Sequence, residues 1–272
     1  MHRSASPSAE REASRLQPPT AVGIIPARLH SARLPEKPLL DLCGAPLIAR
    51  VLQRVRQSGA FRAVIVATDS PRIADAVRQA GGEAVMTPAD LPSGLDRVAE
   101  AAQSVEDDLI VNVQGDEPFV SPDGLDHLVS LFKNPSVVMG TLGAPFPATD
   151  DVGDPNRVKV VIDRMGRALY FSRSRIPHGA GAVPPSGIGA HEGATAPLLH
   201  VGVYAYRRET LFELSRRGPC PLERAERLEQ LRALWNGIPI HVAVGDYGSL
   251  GIDTPEDLER ARRLFGDGRE TE

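Results

Sequence analysis

Three cationic side chains follow one apolar run near the start of the chain. The run begins at Val22 and breaks at Pro26, and Arg28, Arg33 and Lys37 come after it. Each arginine can bind two phosphate oxygens at once, and the lysine adds a compact point charge. The spacing therefore fits a loop that holds a polyphosphate at the end of a buried strand. On spacing alone, a solvent-exposed loop that happens to be basic is an equally good interpretation.

The loop lacks two glycine-rich patterns that hold nucleotide phosphates in other proteins. It has no Gly-Lys-Ser or Gly-Lys-Thr of a Walker A loop, and it has no G-x-G-x-x-G of a dinucleotide-binding fold. A phosphate site in this loop would therefore depend on its three cations.

Two carboxylates are candidates for a metal site. Asp116 follows the apolar run Leu109–Val113, and ligands of open α/β sheets bind beyond the carboxyl ends of such strands. Asp253 comes directly before Thr254, a predicted helix N-cap with Asp257 as its capping-box partner, so the Asp253 carboxylate is not needed there. Mg²⁺ takes one or two protein carboxylates and fills its other positions with phosphate and water. The alternative for Asp116 is a polar cap between a strand and a turn.

Strands and helices alternate in the first half of the chain and would position these side chains. Continuous apolar runs are typical of strands buried on both faces, and apolar residues at helical spacing predict helices between them. Ser93 and Asp96 form a candidate capping box at one helix start, whose free amides could also hold a ligand. The pattern predicts a doubly wound, mostly parallel α/β sheet. The predicted elements are a strand from Val22, a helix over Ala45–Ser58, a strand over Ala63–Ala67, a helix from Pro71 to Gly81, a strand over Ala84–Met86 and a helix from Ser93 to about Gln103.

From about Val137 the pattern changes to strands with shorter connections, which predicts a smaller mixed α+β lobe. A turn at Gly166 predicts a hairpin. A strand over Leu199–Tyr206 would place His200 and Tyr204 on one face, because they are four residues apart. The next predicted elements are one amphipathic helix over Pro221–Trp235 and a strand over Ile238–Val244.

The composition favours a globular protein that binds neither nucleic acid nor membrane. The 272 residues are 42% hydrophobic with a net charge of −4, whereas a general nucleic-acid-binding protein usually has a strongly basic face. No apolar run approaches the ~20 residues that span a bilayer. Cys43 and Cys220 lack metal-ligand spacing, so a reducing cytoplasm is the expected location. Residues 1–20 lack the apolar core of a signal peptide and are expected to be a disordered extension, and the Gly/Pro-rich segment 179–197 is expected to be a mobile loop.

Seven segments, in one order, resemble the 3-deoxy-manno-octulosonate (KDO) cytidylyltransferase family. The similarity runs from about Val22 to Leu264, and the ordered set is far more specific than any single segment. The segments are Ile25–Arg28 with Arg33–Pro35 and Lys37–Leu39, Val66–Asp69, Ser93-Gly94 with Asp96-Arg97, Asn112–Pro118, Tyr170–Arg173, Glu229–Arg232 and Gly251–Asp257.

The resemblance implies an Mg²⁺-dependent enzyme that transfers CMP from CTP to KDO and releases pyrophosphate, as a step in lipopolysaccharide inner-core assembly. It implies that the anomeric hydroxyl of KDO attacks the α-phosphorus of CTP, a transfer that depends on positioning and charge neutralisation. It also implies a homodimer with a single domain over residues 21–270. Within that domain, the nucleotide-binding core would cover about 21–135 and 238–266, and the sugar-binding and dimerisation lobe about 136–237.

The resemblance also assigns roles to individual residues. It implies that Arg28, Lys37, Asp116 and Asp253 act in catalysis, with the two aspartates on the metal. The implied CTP-binding residues are Arg28, Arg33, Lys37, Thr68, Asp69, Ser93, Gly94 and Arg97. The implied KDO-binding residues are Gln114, Arg173, His200, Tyr204, Glu229 and Gln230, with Arg173 expected to bind the sugar carboxylate through both arms of its guanidinium.

Some residues depart from the family pattern. Glu36 adds an anion beside the triphosphate cations and is expected to weaken CTP binding, and Leu29, His30 and Leu95 replace residue types that are common in the family. The long Gly/Pro-rich loop leaves the exact sugar acid open. The alternatives are therefore a cytidylyltransferase for another sugar acid, such as sialic acid or an amino-KDO, or a nucleotide-binding protein without catalysis. The presence of all three cations and both carboxylates argues against the non-catalytic alternative.

Overall fold

The first part of the central β-sheet consists of four parallel strands in the computed structural model, which describes residues 19–30, 33–146, 151–178, 197–248 and 250–266. These strands are β1 (Ala21–Ala27), β2 (Ala63–Thr68), β3 (Glu83–Met86) and β4 (Leu109–Asn112). Their order across the sheet is β3-β2-β1-β4. Nearly all residues of β1, β2 and β4 are buried, as the continuous apolar runs predict for strands covered on both faces.

Helices cover both faces of these strands. They are α1 (Leu47–Val55), α2 (Pro71–Gln79), α3 (Gly94–Ala102) and α4 (Pro122–Ser130). Apolar residues of α1, α2 and α4 belong to the core on one face, among them Leu47, Ile73 and Leu125. Leu95 and Val98 of α3 belong to the core on the other face. This arrangement confirms the predicted doubly wound, mostly parallel α/β sheet.

Beyond β4, the sheet continues with strands from the second half of the chain. They are β5 (Met139–Pro145), β6 (Lys159–Ile162), β7 (Ala168–Ser172), β8 (Leu198–Arg207) and β9 (Ile240–Val244). Strand β8 is antiparallel to both β4 and β5, and β9 is parallel to β5. Strands β6 and β7 form the predicted hairpin, and Gly166 in its turn has a φ of 75°, which favours glycine. The strand that leads to Asp116 and the strand that carries His200 are therefore hydrogen-bonded neighbours.

The prediction of one continuous helix over Pro221–Trp235, in the second half of the chain, is wrong. The helices here are α5 (Arg208–Arg216), α6 (Pro221–Glu226), α7 (Leu231–Trp235) and α8 (Pro255–Gly266). Pro221–Trp235 is thus two helices with a break at Arg227, whose φ of 55° places it in the left-handed region. The apolar stripe runs through the break, since Leu228 and Leu231 are both buried. Periodicity alone therefore could not reveal the interruption.

Most of the predicted extension and loop lies outside the described residues, namely residues 1–18 and 179–196. At Thr20 the chain is already held, because its backbone N–H donates to Asp108 Oδ2 at 3.0 Å and its carbonyl accepts from the Leu109 N–H. The division into a nucleotide-binding core and a sugar-binding lobe stays a prediction. Within the described ranges, no helix has the length and apolar character needed to cross a bilayer.

Candidate active site

A cavity of about 920 Å³ opens at the sheet edge where β1 and β4 end. Residues from distant parts of the sequence converge on it, as expected at the carboxyl edge of an open α/β sheet. The predicted site residues that line it are Arg28, Arg33, Lys37, Gly94, Arg97, Gln114, Asp116, Arg173, His200, Tyr204, Glu229, Gln230 and Asp253. Three predicted site residues, Thr68, Asp69 and Ser93, are not among the lining residues.

The three cations of the first loop face the cavity with different partners. Arg28 is exposed and makes no hydrogen bond or ion pair with any residue that the structure describes. Arg33 Nη2 donates to Asp253 Oδ2 at 3.0 Å. Lys37 begins a short 3-10 helix, Lys37–Leu39, and only 14% of its side chain is exposed. Arg28 is thus the member of this loop whose charge is not neutralised within the described protein.

Lys37 joins the two carboxylates that the sequence singles out. Its Nζ donates to Asp116 Oδ2 at 2.5 Å and to Asp253 Oδ1 at 2.9 Å. Desolvation by burial acts to lower the pKa of Lys37, but the charges and hydrogen bonds of the two aspartates outweigh it and raise this pKa. Desolvation likewise acts to raise the pKa of Asp253, but Lys37 and Arg33 hold it below its ordinary value. Lys37 and Asp253 therefore remain charged around neutral pH.

Close backbone packing brings the two carboxylates together. A Cβ at Gly115 would lie 2.8 Å from the carbonyl oxygen of Pro26, so the loop after β4 approaches the end of β1 more closely than a side chain allows. The Ile252 N–H donates to the Asp116 carbonyl at 2.9 Å and so ties the segment before α8 to the loop after β4. Gly115 and Ile252 thus set the separation of Asp116 and Asp253.

The predicted capping box at the start of α8 is confirmed. The Asp257 N–H donates to Thr254 Oγ1 at 3.2 Å, and the Thr254 N–H donates to Asp257 Oδ2 at 2.9 Å. The backbone N–H of Asp253 also donates to Asp257 Oδ2, at 3.1 Å. As predicted, the Asp253 carboxylate takes no part in the cap and points to the cations instead.

The donor set fits a magnesium ion. Asp116 and Asp253 place carboxylate oxygens around one point at the cavity wall, and Mg²⁺ prefers one or two carboxylates together with phosphate and water oxygens. In the described parts of the chain, no cluster of three or more His, Cys, Asp or Glu side chains forms a complete protein cage for a metal. A metal at this point would therefore take its remaining ligands from substrate and solvent.

The start of α3 presents an arginine rather than the predicted hydroxyls. Ser93 Oγ accepts from the Asp96 N–H at 3.2 Å, which confirms its capping role, and it donates to Asp96 Oδ2 at 2.6 Å. Thr68 is fully buried, and its Oγ1 accepts from the Ser70 N–H. Asp69 pairs with Arg97, whose Nη2 lies 3.1 Å from Asp69 Oδ2.

Arg97 therefore lines the cavity, and two residues outside the cavity lining fix the orientation of its guanidinium. Its Nη1 donates to Thr87 Oγ1, and Asp69 holds its other arm. Only 1% of Arg97 is exposed, so its cation is embedded in the cavity wall.

Glu36 turns away from the cavity that Arg28, Arg33 and Lys37 line, although its sequence position suggests an anion beside these cations. Both of its carboxylate oxygens accept from the guanidinium of Arg72 on α2, and it is not among the cavity-lining residues. The hydrogen bond and charge of Arg72 hold the pKa of Glu36 below its ordinary value. The left-handed backbone of Glu36, with a φ of 54°, accompanies this outward orientation.

On the β8 side, the cavity wall is neutral and aromatic. The rings of His200 and Tyr204 lie 5.4 Å apart between centroids, which confirms that they share a face. Desolvation by burial lowers the pKa of His200 to about 3. Burial also raises the pKa of Tyr204 well above its ordinary value. Both side chains are therefore uncharged at neutral pH.

The break between α6 and α7 delivers two polar side chains to the cavity. Glu229 Oε2 accepts from the Leu95 N–H at the start of α3 at 3.3 Å. Desolvation raises the pKa of Glu229, against the lowering effects of that hydrogen bond and of Arg232. Gln230 is buried, and its Nε2 has no hydrogen-bond partner in the described part of the protein.

Arg173 lines the cavity but uses its guanidinium to hold backbone. Nε donates to the Glu226 carbonyl at 2.8 Å, and Nη1 donates to the Pro155 carbonyl at 3.0 Å. Nη2 lies 3.5 Å from the Arg227 carbonyl. These contacts link the α6–α7 break to the loop before β6.

The loop before β6 is a part of the cavity wall that sequence patterns did not reveal. Fully buried Lys159 organises it, because Nζ donates to the carbonyls of Asp154, Arg157 and Arg173 at 2.6–2.9 Å. In the sequence, the turn-forming residues Asp154-Pro155-Asn156, which stand ahead of an apolar run, could have indicated this loop. The cavity-lining residues that no sequence motif indicates include His30, Asp154, Asn156, Arg157, Arg227 and Arg260.

The fold and the cation-lined cavity beside two carboxylates define a nucleotidyltransferase. The chain belongs to the cytidylyltransferase family, whose sequence model matches residues 22–240. A relative from Syntrophotalea carbinolica, named 3-deoxy-manno-octulosonate cytidylyltransferase, is 46% identical over 243 residues, which cover 87% of this chain and 95% of the relative. A relative of the same name from Acidobacterium capsulatum is 43% identical over 244 residues, covering 90% of this chain and 96% of the relative.

A solved structure supports the same placement within the family. It is described as CMP:2-keto-3-deoxy-manno-octonic acid synthetase complexed with CTP. This chain is similar to it with a TM-score of 0.82 and 40% identity, covering 92% of this chain and 99% of that one. The resemblance that the sequence motifs indicate is therefore confirmed.

Proposed function

We propose that this protein transfers CMP from CTP to KDO, giving CMP-KDO and pyrophosphate, with Mg²⁺ as its cofactor. The observation that carries the proposal is the CTP-complexed synthetase, which this chain matches at 40% identity over 99% of that protein's length. The cavity has the chemistry that this reaction requires, since cations, the carboxylates of Asp116 and Asp253 and the uncharged side chains of His200 and Tyr204 meet in one space.

The cations of the first loop bind the triphosphate in this proposal. Arg28 is exposed and has no partner in the described protein, so binding a phosphate does not require it to break an existing ion pair. Arg33 and Lys37 already neutralise carboxylates and would be shared between those carboxylates and the phosphates. Arg97 adds a fixed cation at the start of α3, next to Gly94, whose amide has no partner among the described residues.

Asp116 and Asp253 would hold the magnesium ion. Such an ion supplies charge stabilisation for the leaving pyrophosphate and activates the attacking hydroxyl. The protein's own part is to fix both carboxylates through the backbone bond from Ile252 to Asp116 and through the cap at Thr254.

The sugar acid would occupy the wall made by β8 and the α6–α7 break. Gln114, His200, Tyr204, Glu229 and Gln230 supply polar groups there, and the buried Gln230 amide lacks a partner in the described protein. A substrate rich in hydroxyl groups would satisfy that amide. Arg173 would act beside them, through the carbonyls that it holds or through the sugar carboxylate.

Three further properties belong to the proposal. The product would serve lipopolysaccharide inner-core assembly, the enzyme would work in the cytoplasm, and it would form a homodimer through the lobe at about 136–237.

The test is pyrophosphate release from CTP and Mg²⁺ with a panel of KDO, an amino-KDO and sialic acid. We expect the highest kcat/KM with KDO and no release without a sugar acid. Asp253→Asn should lose activity, whereas Asp246→Asn, which changes an exposed aspartate outside the cavity, should keep it. A higher kcat/KM with another acid would replace KDO as the substrate, and CTP binding without any release would favour a non-catalytic nucleotide-binding protein.

A further inference from the structure

A β-bulge places one buried hydroxyl next to His200. The register between β5 and β8 shifts after Thr141, which pairs with Tyr204, whereas Leu142 pairs with Val201. The bulged residues of β8 therefore lie opposite the fully buried Thr141, whose Oγ1 is 2.7 Å from the Val203 carbonyl oxygen. The same Oγ1 is 3.0 Å from His200 Nε2. Thr141 thus satisfies a carbonyl at the bulge and contacts the imidazole at the same time.

The single hydroxyl proton of Thr141 determines which ring nitrogen of His200 is protonated. The Thr141 hydroxyl carries one proton, and a carbonyl oxygen can only accept. That proton goes to Val203 at 2.7 Å, since the Val201 carbonyl is farther away at 3.4 Å. Oγ1 must then accept from the ring, so Nε2 carries the proton of His200.

The second ring nitrogen therefore holds a lone pair. Burial lowers the pKa of His200 to about 3, so the ring is neutral and Nδ1 is unprotonated at neutral pH. No residue in the described ranges donates to Nδ1, and His200 lines the cavity. The ring also packs against Phe171 in a T-shaped arrangement, with the two ring centroids 4.9 Å apart. The imidazole thus presents a fixed acceptor to whatever occupies this wall.

We infer that Thr141 is a positioning residue that fixes His200 as an acceptor for one hydroxyl of the sugar acid. The inference rests on the proposed function for the identity of the ligand, but the tautomer follows from the protein alone. It also sets a selection rule, because a lone pair repels a carboxylate oxygen and attracts an O–H donor. The sugar carboxylate must then lie at another part of the wall.

The first test is the tautomer of His200 in the full-length protein without ligand. Nitrogen-15 NMR of the histidine side chains should show a protonated Nε2 and an unprotonated Nδ1 for His200, unchanged between about pH 5 and pH 9. A ring protonated on Nδ1, or a charged ring at pH 7, would overturn the inference. This result does not depend on any enzymatic activity.

The second test compares Thr141→Val with Thr141→Ser. The valine variant loses the hydroxyl at similar volume, so the ring loses its tautomer constraint, and KM for KDO should rise about three- to tenfold. The Kd for CTP should stay the same, and Thr141→Ser should restore both the KM and the NMR signature. An unchanged KM and signature in a folded valine variant would contradict the positioning role. A valine variant that unfolds would leave the serine variant and the wild-type NMR measurement to decide.

A third test uses KDO analogues that each lack one hydroxyl. For one analogue, the loss of affinity in the wild type should match the loss caused by Thr141→Val, and combining the two changes should add nothing. If every analogue loses affinity additively with Thr141→Val, no hydroxyl of KDO bonds to His200. If the wild type releases no pyrophosphate with any sugar acid, the proposed function fails while the NMR result still tests the tautomer.

Discussion

Lys37 Nζ lies 2.5 Å from Asp116 Oδ2, so a lysine ammonium already binds one of the two carboxylates proposed to hold the metal ion. The same nitrogen also binds Asp253 at 2.9 Å. If these aspartates hold the metal, as proposed, the metal and the lysine ammonium would compete for them unless a phosphate draws the ammonium away. This competition predicts that the free enzyme binds the metal weakly and that CTP strengthens metal binding.

Lys37→Met should change the affinity for metal and the affinity for CTP in opposite directions. Without CTP, the variant should bind Mn²⁺, used as a spectroscopic substitute for Mg²⁺, about tenfold more tightly, because the competing charge-assisted bonds are gone. Its affinity for CTP should fall by a similar factor. Electron paramagnetic resonance measures the first and calorimetry the second, with exposed Lys133→Met as the control. Unchanged Mn²⁺ affinity would contradict the competition between Lys37 and the metal for the two aspartates.

Asp253→Asn should lower the free energy of unfolding at neutral pH, and the difference from wild type should shrink in acid. The pKa of Asp253 is lowered in the folded protein by Lys37 and Arg33, so its stabilising contribution is complete above the unfolded value of 3.8. That contribution is lost as the pH falls through the lower folded pKa. About half of the side chain is exposed, so the difference should stay below about 1 kcal/mol. Urea unfolding at pH 7 and at pH 3 measures it, and a difference that grows in acid would contradict the assigned direction.

Gly115→Ala should damage the site through backbone displacement. The new Cβ would meet the Pro26 carbonyl at 2.8 Å, and neither backbone segment can move without shifting β1 or β4. We expect a stability loss of about 1–3 kcal/mol and a larger proportional loss of kcat, since Asp116 is the next residue. Gly59→Ala is a matched control, because nothing lies within 4 Å of its added Cβ. Full activity of Gly115→Ala would mean that the close approach is dispensable.

Arg173→Lys should lower both stability and sugar-acid binding. A lysine keeps the charge but cannot reach the carbonyls of Pro155 and Glu226 together. We expect a ten- to hundredfold fall in kcat/KM for KDO, on the order of 1.5–3 kcal/mol, with little change in CTP affinity. Thermal melts and calorimetry check this against exposed Arg164→Lys. A normal melting temperature with the same kinetic loss would favour direct binding of the sugar carboxylate over support of the backbone.

Local patterns were sufficient for much of this fold. The apolar runs gave the parallel strands, and the capping residues Ser93 and Thr254 marked two helix starts correctly. The break at Arg227 could not be predicted in this way, because the apolar stripe continues through it and the residue is neither glycine nor asparagine. Tertiary contacts, such as those from Arg173, hold that break.

Site residues could be predicted where a reactive side chain stands at a recognisable local position, such as a strand end or a helix cap. Asp116 and Asp253 follow from their places at a strand end and before a cap. The orientation of Glu36 was not predictable, because its partner Arg72 lies 36 residues away on a different element. The tautomer of His200 likewise depends on Thr141, which is 59 residues distant and belongs to another strand. Pairings of this kind are set by register, which single-sequence patterns do not fix.

The antiparallel pairing of β4 with β8 also limits how the chain can be truncated. A fragment that ended after α4 would retain β1 to β4 but lose the strand that covers the outer edge of β4. That edge, Leu109–Asn112, is buried along its whole length in the full protein. Exposed, it would offer unpaired backbone groups on an apolar strand, which favours self-association. The region that carries Arg28, Arg33 and Lys37 is therefore expected to aggregate when expressed alone, so mapping studies should use point variants rather than half-length fragments.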